Sequence, residues 1–229
     1  MKPKALLAFS TGKDSAFALH VVRQRGDLEV VGLITTVTAA YGRVSMHGVR
    51  IALLEVQANA LDLPCTQVPI PTPCPNEVYE RAFGEALGAA RDGGVSHVIF
   101  GDLFLRDIRA YRERQIAALE LAPVFPLWGR DTRQLAEEMI DAGLRATLTC
   151  VDPRRLPGSF AGRSFDRNLL AELPTEVDPC GENGELHTFV TDGPGFRAPV
   201  AVTVGDVVER DGFVFADLVS QAMSPGART

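Results

Sequence analysis

Ser10-Thr11-Gly12-Lys13-Asp14-Ser15 stands between a short apolar run, Ala5–Phe9, and an amphipathic segment, Ala16–Arg25. The expected reading is a buried strand, a Gly-containing turn and a helix. Phe17 and Val21 lie one turn apart on that helix, and Gly26 sits at its C-cap. Such a turn offers unpaired backbone N–H groups at the positive end of the helix dipole. Ser10, Thr11 and Ser15 add hydroxyls and Lys13 a full cation, so the segment suits phosphate. Asp14 would then cap the helix or hold Mg2+ against the phosphates. By spacing alone, a polar N-cap with an incidental lysine accounts for the segment equally well. The P-loop pattern GxxxxGK followed by Ser or Thr is absent, and a single glycine excludes the GxGxxG dinucleotide fingerprint.

Working outward, apolar runs and amphipathic segments alternate. Strands are expected at Glu29–Thr36, Gln67–Ile70, Val95–Phe100, Val124–Phe125 and Leu144–Val151. Helices are expected at Val49–Leu61, Asn76–Arg91 and Ile108–Leu121, with another capped by Asp131 or Thr132 and ended by Gly143. Strict alternation implies an α/β fold, a doubly wound and mainly parallel sheet whose ligands bind beyond the strands' carboxyl ends. Asp102 follows the Val95–Phe100 strand and is a candidate Mg2+ or nucleotide contact, or else an N-cap. After Val151 the texture changes to Pro, Arg and Gly, with a short helix around Asp166–Leu173. Antiparallel strands are then expected at Thr188–Val190, Ala198–Val204 and Gly212–Leu218, with Asp211-Gly212 as a turn. The expected division is 1–150 and a smaller C-terminal region, 151–229.

Composition narrows the classes. The 229 residues are 46% hydrophobic and 23% charged, ample for a packed core. No apolar stretch approaches the roughly 20 residues of a membrane span, and no secretory leader is expected, which points to the cytoplasm. A formal net charge of −6 disfavours extended nucleic acid as a partner. Cys65, Cys74, Cys150 and Cys180 form no CxxC pair and read as reduced thiols. The exposed strands of the tail suit a homodimer.

The Ser10–Ser15 segment resembles the SGGKDS loop of the ATP pyrophosphatases, the PP-loop family, with Thr11 in place of the usual Gly. A β-branched residue there is expected to keep the loop away from positive φ. The stretch Asp178-Pro179-Cys180-Gly181-Glu182-Asn183-Gly184-Glu185-Leu186-His187-Thr188-Phe189-Val190 is similar to the GENGE-type motif of the diphthine–ammonia ligase family and its bacterial relatives. Gly101-Asp102, Arg109-Ala110-Tyr111-Arg112, Pro126-Leu127-Trp128 and Arg43-Val44-Ser45-Met46-His47-Gly48 fit the same pattern.

The resemblance implies a HUP-like fold of the adenine nucleotide alpha hydrolase type. It also implies ATP split between its α- and β-phosphates, with Mg2+, to adenylate a carboxylate that ammonia converts to an amide. The acceptor would be a small molecule or a protein side chain. Lys13 and Asp14 are then expected in catalysis, and Ser10, Thr11, Gly12, Ser15, Gly101 and Asp102 on the nucleotide, with the backbone at Thr35 reading the adenine. Asp14 and Asp102 would hold the metal. Glu182 and Glu185, if the segment is extended, face one cavity with His187 and either carboxylate could deprotonate ammonium. His47, at the start of a helix, Arg109, Asn183, Glu185 and His187 are candidate substrate contacts. Competing readings are a nucleotide-sensing module without turnover and a PP-loop tRNA-modifying enzyme. The negative charge and scattered cysteines oppose the latter, and the intact Lys13-Asp14 pair opposes the former.

Overall fold

The computed structural model describes residues 1–221; positions 222–229 of the expected C-terminal region lie outside the described residues. The apolar runs of the first half form parallel strands because neither face of the sheet meets water. They are β1 (Lys4–Ala8), β2 (Glu29–Thr38), β4 (Cys65–Ile70), β5 (Val95–Ile99) and β6 (Ala122–Val124). In β1 the period of two separates the faces. Ala5 and Leu7 join a cluster with Phe17, Leu19 and Leu53, whereas Leu6 joins Ile34, Val68, Phe83 and Val98. Helices α1 (Lys13–Arg25) and α2 (Ile51–Leu61) cover the first face, α3 (Asn76–Asp92) and α4 (Arg106–Ala117) the second. The sheet is doubly wound, as expected.

The parallel strands run in the order β4-β2-β1-β5-β6. The chain moves outward from β1 in one direction and later returns to β1's other side with β5. The carboxyl ends of β1 and β5 therefore flank the point where strand order reverses, the usual ligand crevice of such sheets. A two-residue strand absent from the sequence reading, β3 (Arg43–Val44), pairs antiparallel with Val37 and Thr38 at the end of β2. The following turn, Ser45–Gly48, carries His47, so His47 precedes α2 and does not begin it.

Four antiparallel strands make a second sheet in the order β8-β7-β10-β9, from β7 (Arg145–Val151), β8 (Leu186–Asp192), β9 (Val202–Arg210) and β10 (Phe213–Ser220). The strand expected at Leu144–Val151 thus leaves the parallel sheet and lies inside the antiparallel one. A continuously apolar run is consistent with either kind of buried strand, so periodicity did not separate them. Helix α5 (Thr132–Asp141) bridges the sheets, and the sheet change precedes position 150. Helix α6 (Arg167–Glu172) is capped by Asp166, whose side chain accepts from the Leu169 N–H. Asp211 and Gly212 turn β9 into β10 with φ of 51° and 78°, the two positive values of a tight hairpin. The strand expected at Ala198–Val204 lies further on, because β9 is an exposed edge whose placement owes more to the turn than to burial.

Candidate functional site

The 10–15 loop occupies the switch point, and its conformation is the first departure from expectation. Thr11 adopts φ +70°, the left-handed region that a β-branched residue was expected to avoid. The surroundings hold it there: Thr11 is fully buried, and its carbonyl accepts from the Val190 N–H at 3.0 Å and from Gln57 Nε2 at 3.1 Å. Such a residue typically costs about 1–3 kcal/mol and tends to occur at functional sites. Ser15 Oγ donates to the Gly12 carbonyl at 3.0 Å and accepts from the Ser10 N–H at 3.3 Å, folding the loop onto the first turn of α1. Gly101 lies close beneath: a Cβ there would stand 2.9 Å from the Asp14 carbonyl carbon and the Ser15 nitrogen.

The C-terminal motif closes over this loop. The Lys13 N–H donates to Thr188 Oγ1 at 3.1 Å. The Lys13 ammonium donates to Asp14, 2.9 Å away at Oδ2, and to the Cys180 carbonyl. It is buried, yet held above its ordinary pKa because Asp14 and Asp178 outweigh the burial that opposes the charge. The segment around it is a turn, with Gly181 at φ +71° and Gly184 at φ +84°, not the extended strand that would set Glu182, Glu185 and His187 on one side. Glu185 is fully buried and accepts from the Asp178 N–H at 3.2 Å, the Asn183 N–H at 3.0 Å and Asn183 Nδ2 at 2.9 Å. Glu185 and Asn183 therefore staple their own loop together.

Glu182 does reach across. Its Oε1 accepts from the Leu103 N–H at 2.8 Å, joining the motif to the β5–α4 connection. Burial first, then Asp14 and Asp102, push its carboxyl up to about 7, against the pull of its backbone donors. Asp102 pairs with Arg112 at 2.6 Å. Among the described residues no group of three or more His, Cys, Asp or Glu side chains is arranged to hold a metal ion. Mg2+ usually takes one or two carboxylates and completes its shell with water and substrate phosphate, so Asp14 and Asp102 are the carboxylates that could hold it.

A cleft of about 380 Å³ opens at the carboxyl ends of β1, β2 and β4. Ser10, Thr35, Thr36, Ser45, His47 and Arg112 are on its walls, with Tyr79 and Phe83 from α3. Thr35 Oγ1, inside β2, donates to the Phe9 carbonyl just after β1 at 2.7 Å, tying the two strands together beside the cleft. His47 Nδ1 and Thr11 Oγ1 are buried without a hydrogen-bond partner, which marks the region for a polar ligand. These features suit a nucleotide. Lys13 is not among the residues lining this cleft; its ammonium is held by Asp14 and the Cys180 carbonyl. The His47 and His187 rings are 4.5 Å apart. Burial, then each ring's neighbours, lowers His47 well below the usual imidazole range and His187 to about 4, so the pair is neutral.

Arg109 is not brought to the cleft. Its guanidinium lies 4.8 Å from the Phe125 ring and 4.7 Å from that of Trp128, and pairs with Glu113 at 2.7 Å. Arg112, one turn on, takes the position toward the site. Sequence reading missed Gln57, whose amide ties Thr11 to Val190. The available signal was a lone amide on the apolar face of α2 beside Leu53, Leu54 and Leu61. It also missed Thr188 as partner to the loop, a contact between residues 175 positions apart that no local pattern encodes.

Parallel sheet, switch-point loop and Gly-rich second motif together define an α/β protein of the PP-loop class with a HUP-like fold. Residues 1–119 match the diphthamide synthase N-terminal domain and residues 131–215 the diphthamide synthase C-terminal domain. The chain belongs to the diphthamide synthase family. It is 34% identical over 151 residues to the human diphthine–ammonia ligase, covering 63% of this chain and 56% of that protein. The bovine diphthine–ammonia ligase is 29% identical over 154 residues, 65% of this chain and 57% of its own length. The zebrafish (Danio rerio) protein of the same name is 35% identical over 118 residues, 49% of this chain and 46% of its own length. The chain spans about half the length of these relatives.

Proposed function

We propose that the chain is an ATP-dependent amide ligase that converts a carboxylate to its amide with ammonia, releasing AMP and pyrophosphate. The observation that supports it is the cleft at the carboxyl ends of β1, β2 and β4, with Ser10 of the strained 10–15 loop on its wall and unpartnered polar atoms in its surroundings. The name of the relatives, diphthine–ammonia ligase, supports a ligation that uses ammonia. A carboxylate oxygen attacks the α-phosphorus, the bond to the bridging oxygen breaks and pyrophosphate leaves. Ammonia then attacks the acyl carbon and AMP departs.

Each residue has a derivable part. The loop N–H groups, the start of α1 and the Lys13 ammonium bias the potential toward the departing pyrophosphate, which electrostatic preorganisation favours over water. Thr35 and Thr36 present backbone to the base. Mg2+, where Asp14 and Asp102 would hold it, neutralises phosphate charge. Glu182, with its carboxyl near 7, is matched to take the proton that ammonium must lose before it attacks. Glu185 and Asn183 position Glu182 without touching substrate. The reading carries a cytoplasmic location, no extended nucleic-acid partner, and β9 as the exposed edge through which a homodimer would form.

The test supplies α-labelled ATP, Mg2+, ammonium and a panel of carboxylic acids. Acid-dependent release of labelled AMP with stoichiometric pyrophosphate is expected. Release of ADP and phosphate instead overturns the reading.

A further inference from the structure

Strand β9 is the outer strand of the antiparallel sheet and, among the described residues, pairs with β10 alone. Eight of its nine residues are exposed, Val204, Val207 and Val208 by 47%, 52% and 42%. Val207 and Val208 are neighbours and point to opposite faces, so apolar surface is bare on both sides of an open edge. Such an edge is a template for a further strand, and β9 carries neither proline nor lysine to guard it. Its charges are Asp206, Glu209 and Arg210. Among the described residues neither Asp206 nor Arg210 makes an ion pair within the chain; the Arg210 guanidinium rests 5.5 Å over the exposed Tyr41 ring.

Those charges choose a register. The two-residue turn at Asp211-Gly212 makes Arg210 and Phe213 a hydrogen-bonded pair, and alternation gives Val208 and Phe215 as the next. The N–H and C=O groups of Val207 and Glu209 therefore point away from β10, toward the open edge. Asp206, Val208 and Arg210 share one face, that of Phe213 and Phe215, and the irregularity in pairing lies before them, between Val204 and Val207. Two copies meeting antiparallel about a two-fold axis at Asp206 or at Glu209 would set like carboxylates opposite each other. An axis at Val207 would set Asp206 against valine and leave Arg210 unpaired. An axis at Val208 sets Asp206 against the partner's Arg210 on both sides. Val208 then meets its own copy, and Val207 exchanges hydrogen bonds with the partner's Glu209. Side chains directly opposite on one face stand about 5 Å apart at Cβ, within reach of an ion pair.

We propose that β9 is a dimer interface in which two copies of the chain pair antiparallel about Val208, joining their four-stranded sheets into one continuous sheet. The occupant is a second copy and not a foreign strand, because Asp206-Val207-Val208-Glu209-Arg210 complements itself when reversed: acid faces base at each end and valine meets valine at the axis, as a closed two-fold contact requires. This rests on the homodimer named in the reading above, gives it a register, and is independent of the ligase chemistry.

Sedimentation equilibrium of the full chain across the micromolar range tests this, and a monomer–dimer equilibrium is expected. Asp206→Arg and Arg210→Asp each turn two attractive pairs repulsive, and each should weaken the dimer about tenfold, since one exposed pair is worth only a few-fold. The double variant Asp206→Arg/Arg210→Asp rebuilds both pairs in reverse and should regain the wild-type affinity, a rescue that the Val208 axis alone provides. Val208→Lys sets two ammonium groups against each other on that axis and should also weaken the dimer. All of these positions are exposed, so the circular dichroism of the folded chain is expected to be unchanged. A chain that stays monomeric throughout overturns the proposal. So does a dimer indifferent to the single substitutions, or one that they weaken and the double variant does not restore. Release of AMP and pyrophosphate is read separately, so loss of the dimer interface leaves the ligase reading standing, and failure of the ligase assay leaves the interface standing.

Discussion

Glu185 separates a structural from a chemical account of the Gly-rich motif. Both its oxygens accept hydrogen bonds from its own loop: Oε1 from the Asp178 N–H and from Asn183 Nδ2, Oε2 from the Asn183 N–H. Truncation to alanine strands these donors. Asn183 is exposed, so water replaces the lost acceptor there at little cost, whereas Asp178 is half-buried and Glu185 itself is wholly enclosed. An unsatisfied buried donor costs about 1–3 kcal/mol, and removing the buried methylenes adds to it, so Glu185→Ala should lose about 2–4 kcal/mol. Glu185→Gln keeps a carbonyl for Oε1 but turns an N–H2 toward the Asn183 N–H, and about 1–2 kcal/mol is expected. Urea unfolding measures both, with pyrophosphate release followed on each variant at a concentration where it remains folded. On the structural account activity falls in step with the loosening of the loop. A Glu185→Gln variant with wild-type urea midpoint and a hundredfold loss of turnover would refute it and return the proton transfer to Glu185.

Other outcomes follow from the same geometry. Lys13→Met should lower pyrophosphate release by about 10²–10³-fold, the usual loss for one preorganised donor to a developing anion; it also strands Asp14, so adding Asp14→Asn should recover stability without recovering turnover. Glu182 gives a pH signature whose sign is set by the direction of its shift. Because its carboxyl titrates at about 7 when folded against an ordinary 4.5, the folded state holds the proton more tightly, and stability from this group is full below 4.5 and lost as pH rises through 7. Relative to wild type, Glu182→Gln should therefore gain about 1–2 kcal/mol at pH 8, after allowance for its partial exposure, and nothing at pH 4.5. An equal difference at both pH values in denaturant titrations contradicts this. Gly101→Ala sets a methyl 2.9 Å from the backbone of Asp14 and Ser15, and should cost about 1–3 kcal/mol while weakening AMPCPP, read by melting temperature and calorimetry.

The parallel sheet was legible because Leu6, Leu7, Leu33, Ile34 and Val98 sit in runs that have no reason to be apolar unless both faces are covered. The hairpin turn at Asp211-Gly212 was legible because few dipeptides accept two positive φ values. The allegiance of β7 was not, since Leu148 and Val151 are buried whether their neighbours run parallel or antiparallel. Site residues followed the same division. Ser10 was legible on the cleft wall from its place just after β1, a local property, whereas Thr35, expected at a strand end, lies inside β2 and Asp102 is not on that wall. Arg109 and Arg112 share one helix and one charge; only packing against Phe125 and Trp128 tells which of them turns away. Glu182 and Glu185 look alike in sequence, yet Gly181 and Gly184 at positive φ break the extended spacing that would have made them equivalent.

The Thr11 conformation has a wider consequence for how this site is held. A left-handed threonine is unfavourable by about 1–3 kcal/mol, and nothing within the 10–15 loop compensates for it. The compensating contacts come from elsewhere: Val190 on β8 donates to the Thr11 carbonyl, Gln57 on α2 bridges Thr11 and Val190, and Thr188 accepts from the Lys13 N–H two residues on. Two of these three partners lie on β8 in the antiparallel sheet, more than 170 positions from the loop they restrain. The geometry of the 10–15 loop is therefore a property of both sheets docked together. The Lys13 ammonium, lodged on the Cys180 carbonyl, adds a charged contact across the same junction. A movement of the Gly-rich motif that released this carbonyl would free the lysine, whereas Thr11 would relax only if Val190 and Gln57 let go as well.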